Sequence, residues 1–299
     1  MFVPSTPLHA EVFPRLLPRE GLQVREDILY TNHKGEEKKG IRKGAEKILG
    51  QLGDALQKIL EPNEVILYVA AARREAGLLE QMTMGYAVAN VVTMTTLVFT
   101  NLRLLHFRVK RDGRWNRSLR SLHWGDVATA KVSGWLNGQL QLTCRNGTKE
   151  KYWGLSSDDR RKIQVLVDAL LPASQGDASG AQSMRSLCPQ CRAPLTAGNY
   201  SCMGCGLGFK DESSLLWRAL IPGGVYFYTG HPVLAAFVIL GELYILLLIV
   251  LSLAASSDPE IGPEGAIGAA LIFAFLLLVE KLITIYHGRK FLREFIPAS

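Results

Sequence analysis

Cysteine is scarce in this chain, with five among 299 residues, and four of the five fall inside one stretch, "CPQCRAPLTAGNYSCMGCG", residues 188–206. So thin a supply excludes a disulfide-built scaffold, and its clustering in couplets suits a reducing compartment in which thiolates bind metal. Also lacking are a Walker-type loop, a zinc-protease helix and a nucleophile elbow. The six histidines are scattered. Without a nucleophile, base and orienting group that the sequence can bring together, the expectation is a protein that binds rather than an enzyme. The first residues, "MFVPSTPLHAEVFPRLLPREG", are broken by prolines and lack the uninterrupted apolar core of a secretory signal, so no cleaved leader is expected.

Charge is nearly missing from one region. Residues 233–255, "VLAAFVILGELYILLLIVLSLAA", contain one charged side chain, Glu242, at roughly the 20-residue length that crosses a hydrocarbon core. A second run, 265–286, is apolar in its first half and ends in "VEKLITIY". The expected external loop between them, 256–264, has acids and no base, whereas the tail 287–299 is basic, so both termini are expected to face the cytoplasm. Counted inward from that loop at about 1.5 Å per residue, Glu242 and Lys281 reach similar depths, which predicts an ion pair between the helices. The same pair could serve a small oligomeric transport or channel component, since two helices alone offer too little wall for a pore.

Residues 210–232, "KDESSLLWRALIPGGVYFYTGHP", are expected to form a short capped amphipathic helix and a Pro-Gly-Gly turn along the inner leaflet, with Trp217, Tyr226, Phe227 and Tyr228 at the headgroup level. "ALIPGGVYFYTGHP" followed by two spans resembles a two-transmembrane-helix domain family in which such a turn and a Tyr-Phe-Tyr-x-Gly stretch precede the first helix.

Cys188, Cys191, Cys202 and Cys205 form two C-x2-C couplets separated by ten residues. Four thiolates at that spacing can converge tetrahedrally on zinc, closing a structural rather than a catalytic site. The unit, 187–209, resembles the zinc ribbons of many cytoplasmic proteins, and metal ligation would replace the core that so short a segment cannot build. Its single base, Arg192, argues against nucleic acid as a partner, although a membrane-tethered nucleic-acid-binding protein stays as a rival reading.

Ahead of the ribbon, the small polar stretch 172–186 reads as a flexible linker. Residues 61–171 offer a series of short strands, with Asn146-Gly147 marking a hairpin, and then "SSDDRRKIQVLVDALL", a helix capped by Ser156 or Ser157. Cys144 alternates with polar neighbours as a core residue would. The segment 75–94 is apolar without a clear period and could be helix, strand or loop. In "VFTNLRLLHF", Thr100, Asn101, Arg103 and Leu104 stand where the bacterial pleckstrin-homology-like (PH-like) and GRAM families have Thr-Asp/Asn-x-Arg-Leu on a central strand, and this region resembles them. The resemblance implies a partly open β-barrel plugged by a C-terminal helix that binds lipids or protein segments, in a chain anchored in a bacterial inner membrane.

The net charge of +7 suits an anionic partner without choosing one. Arg103, Arg108, Lys110, Arg111, Arg114, Arg117 and Arg120 crowd one stretch against a single acid, Asp112, and predict either one basic face for lipid or partner or a solvated strand face. Upstream, residues 38–60 repeat apolar side chains at three- and four-residue intervals from Ile41 to Ile59 with Lys38, Lys39, Arg42, Lys43 and Lys47 alongside, an amphipathic helix that docks on the barrel or lies on the leaflet. Residues 1–37 read as irregular. The expected whole is a multidomain α+β membrane protein: PH-like β-barrel with C-terminal helix, four-cysteine zinc ribbon and two-helix transmembrane hairpin. Its expected role is that of an adaptor or scaffold for membrane lipids and a protein partner, with homo-oligomers open.

Overall fold

The computed structural model describes residues 15–16, 21–84, 91–135, 137–174, 180–257 and 262–298. Residues 1–14 and 17–20 of the expected irregular start, 85–90 of the ambiguous segment 75–94, the middle of the expected linker at 175–179 and part of the expected external loop, 258–261, lie outside them. The chain divides into two compact units, Met1–Leu207 and Gly208–Ser299.

The first unit is built on a large, open, mainly antiparallel sheet. It begins with β1 (Arg15–Leu16), β2 (Gln23–Val24), α1 (Glu26–Leu29) and α2 (Lys39–Ile59), followed by β3 (Ile66–Arg74) and α3 (Leu78–Met84). Then come β4 (Met94–Thr100), β5 (Arg103–Val109), β6 (Trp115–His123), β7 (Val127–Ser133), β8 (Gly138–Cys144), β9 (Lys149–Leu155) and α4 (Ser157–Ala173). The last strands are β10 (Arg185–Leu187) and β11 (Pro194–Leu195). Strand order is β11-β10-β6-β5-β4-β3-β9-β8-β7, with β2 parallel to β3 and β1 beside β2. Thus β3–β6 form one meander and β7–β9 another, joined where β3 meets β9 at two residue pairs, Arg73 with Trp153 and Arg74 with Tyr152.

Both faces of the first meander are covered, which explains why β4 and β5 are buried along nearly their whole length rather than at alternate residues. Leu67, Phe99, Leu104 and Leu122 point into a core closed by Trp124, Tyr152 and the Ile163, Val167 and Leu170 face of α4. Their neighbours Ile66, Val98, Leu105 and Phe107 point the opposite way, onto Leu49, Leu52, Leu56 and Ile59 of α2. Each such side chain contributes roughly 1.5–3 kcal/mol when fully buried, so the amphipathic helix docks on the sheet instead of lying free. Cys144 sits in the first core, 1% exposed. The N-terminus of α4 carries a capping box between Ser156 and Asp159.

Two differences from the sequence reading concern short elements. Residues 21–37 are not irregular: β2 adds to β3, and Leu22, Val24, Leu29 and Tyr30 join the second core. The segment expected as a linker ends in β10, which pairs antiparallel with β6 through Arg185–Ser121, Ser186–Arg120 and Leu187–Leu119. Pieces of two to four residues show no period, so only the tertiary contacts reveal them. The ambiguous segment 75–94 contains α3, where the buried Glu80 carboxylate accepts the Gly77 amide at 2.7 Å.

The second unit is helical: α5 (Glu212–Ala219), α6 (Gly224–Thr229), α7 (Pro232–Ala254) and α8 (Gly262–Leu292). Helices α7 and α8 are long and apolar enough to cross a membrane. At the far end of α8 the chain returns past its own start, Lys210 donating its amide to Ile296 and Ala298 donating to Gly208. His287, Gly288 and Phe291 of α8 are packed among α5 and α6.

Candidate metal centre and charged surfaces

Strand β10 delivers Cys188 directly from the edge of the sheet, and the ribbon is therefore hung on the first unit rather than separated from it. Each couplet turns in the same way. The Arg192 amide bonds back to the Cys188 carbonyl at 3.0 Å, and the Gly206 amide to the Cys202 carbonyl at 2.8 Å. The Cys188 and Cys202 amides in turn donate to Ala193 and Leu207, each at 2.9 Å. Both turns need a left-handed residue at the fourth position, with φ of 65° at Arg192 and 73° at Gly206.

These turns bring the Cys188, Cys191, Cys202 and Cys205 sulfurs within 4.8 Å of one another. Cys188 and Cys205 sulfurs lie 3.6 Å apart, and those of Cys191 and Cys202 3.4 Å. A tetrahedral ion with metal–sulfur bonds of about 2.3 Å needs sulfurs about 3.8 Å apart, so the donor set fits such an ion. The amides of Gln190 and Cys191 aim at the Cys188 sulfur, and those of Gly204 and Cys205 at the Cys202 sulfur. Burial pushes Cys188 up to about 12 against its amides. For Cys202 burial also acts upward, yet the Gly204 and Cys205 amides and the neighbouring thiols outweigh it and lower the group to about 7. With all four positions filled by sulfur, the arrangement can hold a thiophilic ion but leaves no coordination place for a reacting molecule.

The seven bases expected on one face do not share a surface. Arg103 is 5% exposed, its guanidinium held by Glu64 at 2.8 and 2.9 Å and by the Ile59 carbonyl at 3.1 Å. Arg108 is buried and donates to the Val92 carbonyl at 2.7 Å. Arg120 grips Glu150 with two bonds, of 2.7 and 3.2 Å. Lys110, Arg111, Arg114 and Arg117 remain exposed on or beside the β5–β6 hairpin. The Gln51 side chain of α2 donates to the Asp112 carbonyl at that hairpin's tip, at 3.0 Å. On α2 the exposed Lys39, Lys43 and Lys47 follow at four-residue spacing and lead to Gln51, so one basic stripe runs from the helix onto the hairpin. The four-residue spacing was visible in the sequence, but the bond that joins helix and hairpin was not.

In the second unit, Lys281 Nζ meets Glu242 Oε2 at 2.7 Å, as the depth count predicts. Glu242 is 2% exposed, and its other oxygen lies 3.5 Å from the Gly223 amide nitrogen. Nearby, Thr284 donates to the Glu280 carboxylate, and Tyr226 hydroxyl and His287 Nδ1 lie 2.8 Å apart. The Pro-Gly-Gly turn thus packs against α7 and the α6 helix after it against α8, an arrangement the sequence reading missed because only the two glycines signal it.

One further feature escaped the sequence reading, a groove of about 610 Å³ lined in part by Gln57, Lys58, Glu61, Glu64 and Arg192, whose guanidinium reaches the Leu60 carbonyl at 3.4 Å. No protein-family model matches the chain, and no curated protein matches it significantly.

Proposed function

We propose that this protein is a membrane-anchored adaptor whose sheet unit is PH-like and binds anionic lipid headgroups, with zinc in the four-cysteine centre as a structural ion. In this reading α7 and α8 cross the bilayer and both termini face the cytoplasm. The observation that carries it is the basic stripe formed by Lys39, Lys43 and Lys47 with Lys110, Arg111 and Arg114, joined through Gln51. Each cation near an anionic leaflet contributes about 1 kcal/mol, and a tether makes such weak contacts sufficient by raising their effective concentration. Support for a membrane comes from the long helices, of whose apolar windows only 11% is buried, whereas a soluble core helix would be mostly covered. Support for the PH-like reading comes from two consecutive meanders followed by a helix that closes the core between them. A structural role for Glu242 is favoured over transport, because its two oxygens are engaged by Lys281 and the Gly223 amide.

Co-sedimentation of residues 1–207 with phosphatidylglycerol-containing and with neutral phosphatidylcholine vesicles tests the proposal. Binding to the anionic vesicles alone is expected, weakened at least tenfold by the triple change Lys43→Glu, Lys47→Glu, Arg111→Glu. Equal sedimentation with both lipids, or binding indifferent to those reversals, would remove headgroup recognition as the function.

A further inference from the structure

The segment between the ribbon and the first long helix consists of two short helices, α5 and α6, joined by a turn. We propose that α5 and α6 form a re-entrant hairpin that dips into one leaflet, its turn at 220–223 lodged against α7 and its outer side facing acyl chains. The proposal rests on the reading of α7 and α8 as membrane spans and adds a third immersed element.

Depth comes first. A Cβ placed on Gly223, where φ is 62°, would stand 2.6 Å from both the Ala235 carbonyl oxygen and Ile239 Cγ1, so the turn sits hard against α7. Ile239 lies about 10 Å along the helix from Pro232, and Glu242, beside the Gly223 amide, lies about 15 Å along it. Half a hydrocarbon core is about 15 Å, so a turn at this level is within the leaflet if α7 spans.

Polarity is graded along the hairpin rather than split between its faces. At the base, the Tyr228 hydroxyl accepts the Asp211 amide at 2.9 Å, Lys210 bonds the Tyr228 carbonyl, and Glu212 pairs with Arg289. Toward the turn, Trp217, Leu220 and Ile221 are exposed, Leu220 by 72% and Ile221 by 60%. An amphipathic helix lying on a surface would instead carry an apolar stripe along its whole length. Val233 and Phe237 of α7 are exposed as well.

The one charge near the tip is turned back. Arg218 donates to the Ser214 carbonyl at 3.3 Å, and its guanidinium lies 4.1 Å over the Tyr228 ring, so its head points to the base as a snorkelling side chain does. The amides of the turn also have acceptors, one part of what lipid requires of an immersed turn. The amides of Leu220, Ile221 and Gly224 bond to the carbonyls of Trp217, Arg218 and Ile221 at 3.3, 3.1 and 2.9 Å, and that of Gly223 faces Glu242.

The test uses the full chain carrying a fluorescent unnatural amino acid at Ile221, reconstituted in phosphatidylcholine/phosphatidylglycerol vesicles, with lipids bearing a nitroxide at acyl carbon 5 as quencher and aqueous iodide as its opposite. Companion probes at Leu247 on α7 and at the exposed Lys149 of β9, away from the basic stripe, mark acyl and water environments, and a probe at Leu220 guards against a local misfold at 221. Strong nitroxide quenching at 221 and 220, with iodide quenching at least threefold weaker than at 149, is expected. Iodide quenching at 221 and 220 equal to that at 149, with 247 still shielded, overturns the hairpin and leaves the spans standing. Iodide access at 247 overturns the spans and the hairpin together.

Discussion

Among single residues, burial decides which charges can meet a partner. Arg103 looks like part of a basic run in the sequence, yet its partner Glu64 is 39 residues earlier and nothing local announces it. Neutralising one member of a buried pair strands the other, so Glu64→Gln should cost about 3–5 kcal/mol in urea unfolding of residues 1–207. A fragment as stable as the parent would show that the pair contributes nothing. Lys162 poses the opposite case, since its buried ammonium donates to two neutral oxygens, Thr31 Oγ1 at 2.9 Å and the Asn32 carbonyl at 3.2 Å. Burial lowers this ammonium to about 8, with Asp27 opposing the shift. The unfolded lysine holds its proton up to about 10.4, so between about 8 and 10 the unfolded chain binds more protons than the folded one. Stability should therefore rise across that window, by about 1–2 kcal/mol, and the rise should vanish in Lys162→Met. A parent and variant with parallel pH profiles would contradict the assignment. The cysteine positions, by contrast, were fully legible, because metal-ligand spacing is a local property of the chain.

Among elements, those with a long period or a fixed spacing were readable and those that exist only by pairing were not. The α2 helix announces itself through repeated apolar positions from Ile41 to Ile59, and α4 through its cap and apolar face. Strand β10 is three residues long, and its pairing with β6 and β11 makes it a strand. That pairing anchors the ribbon to the sheet edge, and an ion held by the four sulfurs would be its second anchor. Removing the ion with a chelator should therefore open residues 188–207 to limited proteolysis while the sheet keeps its far-UV signal, because the two cores do not depend on the sulfurs. Cys202→Ser should reproduce the effect and lower bound zinc, measured by atomic emission, at least tenfold from one ion per chain. Chelation that leaves the ribbon as resistant as before would mean that the thiols hold no ion. The turn at Gly223 belongs to this scale as well, since its glycine was legible as a break but its depth against Ile239 was not.

For the whole molecule, the order of sheet unit, four-cysteine ribbon and apolar helices could be read from composition because each part has its own signature. What composition could not supply was the joining of α2 to the β5–β6 hairpin, two segments 61 residues apart in the bond from Gln51 to Asp112. That junction turns scattered lysines and arginines into one stripe, and the proposed adaptor role depends on it. Hydrogen exchange of the intact chain in nanodiscs reads the stripe directly, with neutral phosphatidylcholine discs compared against discs containing phosphatidylglycerol. Slower exchange at residues 110–114 in the anionic discs alone, abolished by 0.5 M salt, is the expected result. Identical exchange in both kinds of disc would contradict headgroup binding by the tethered unit.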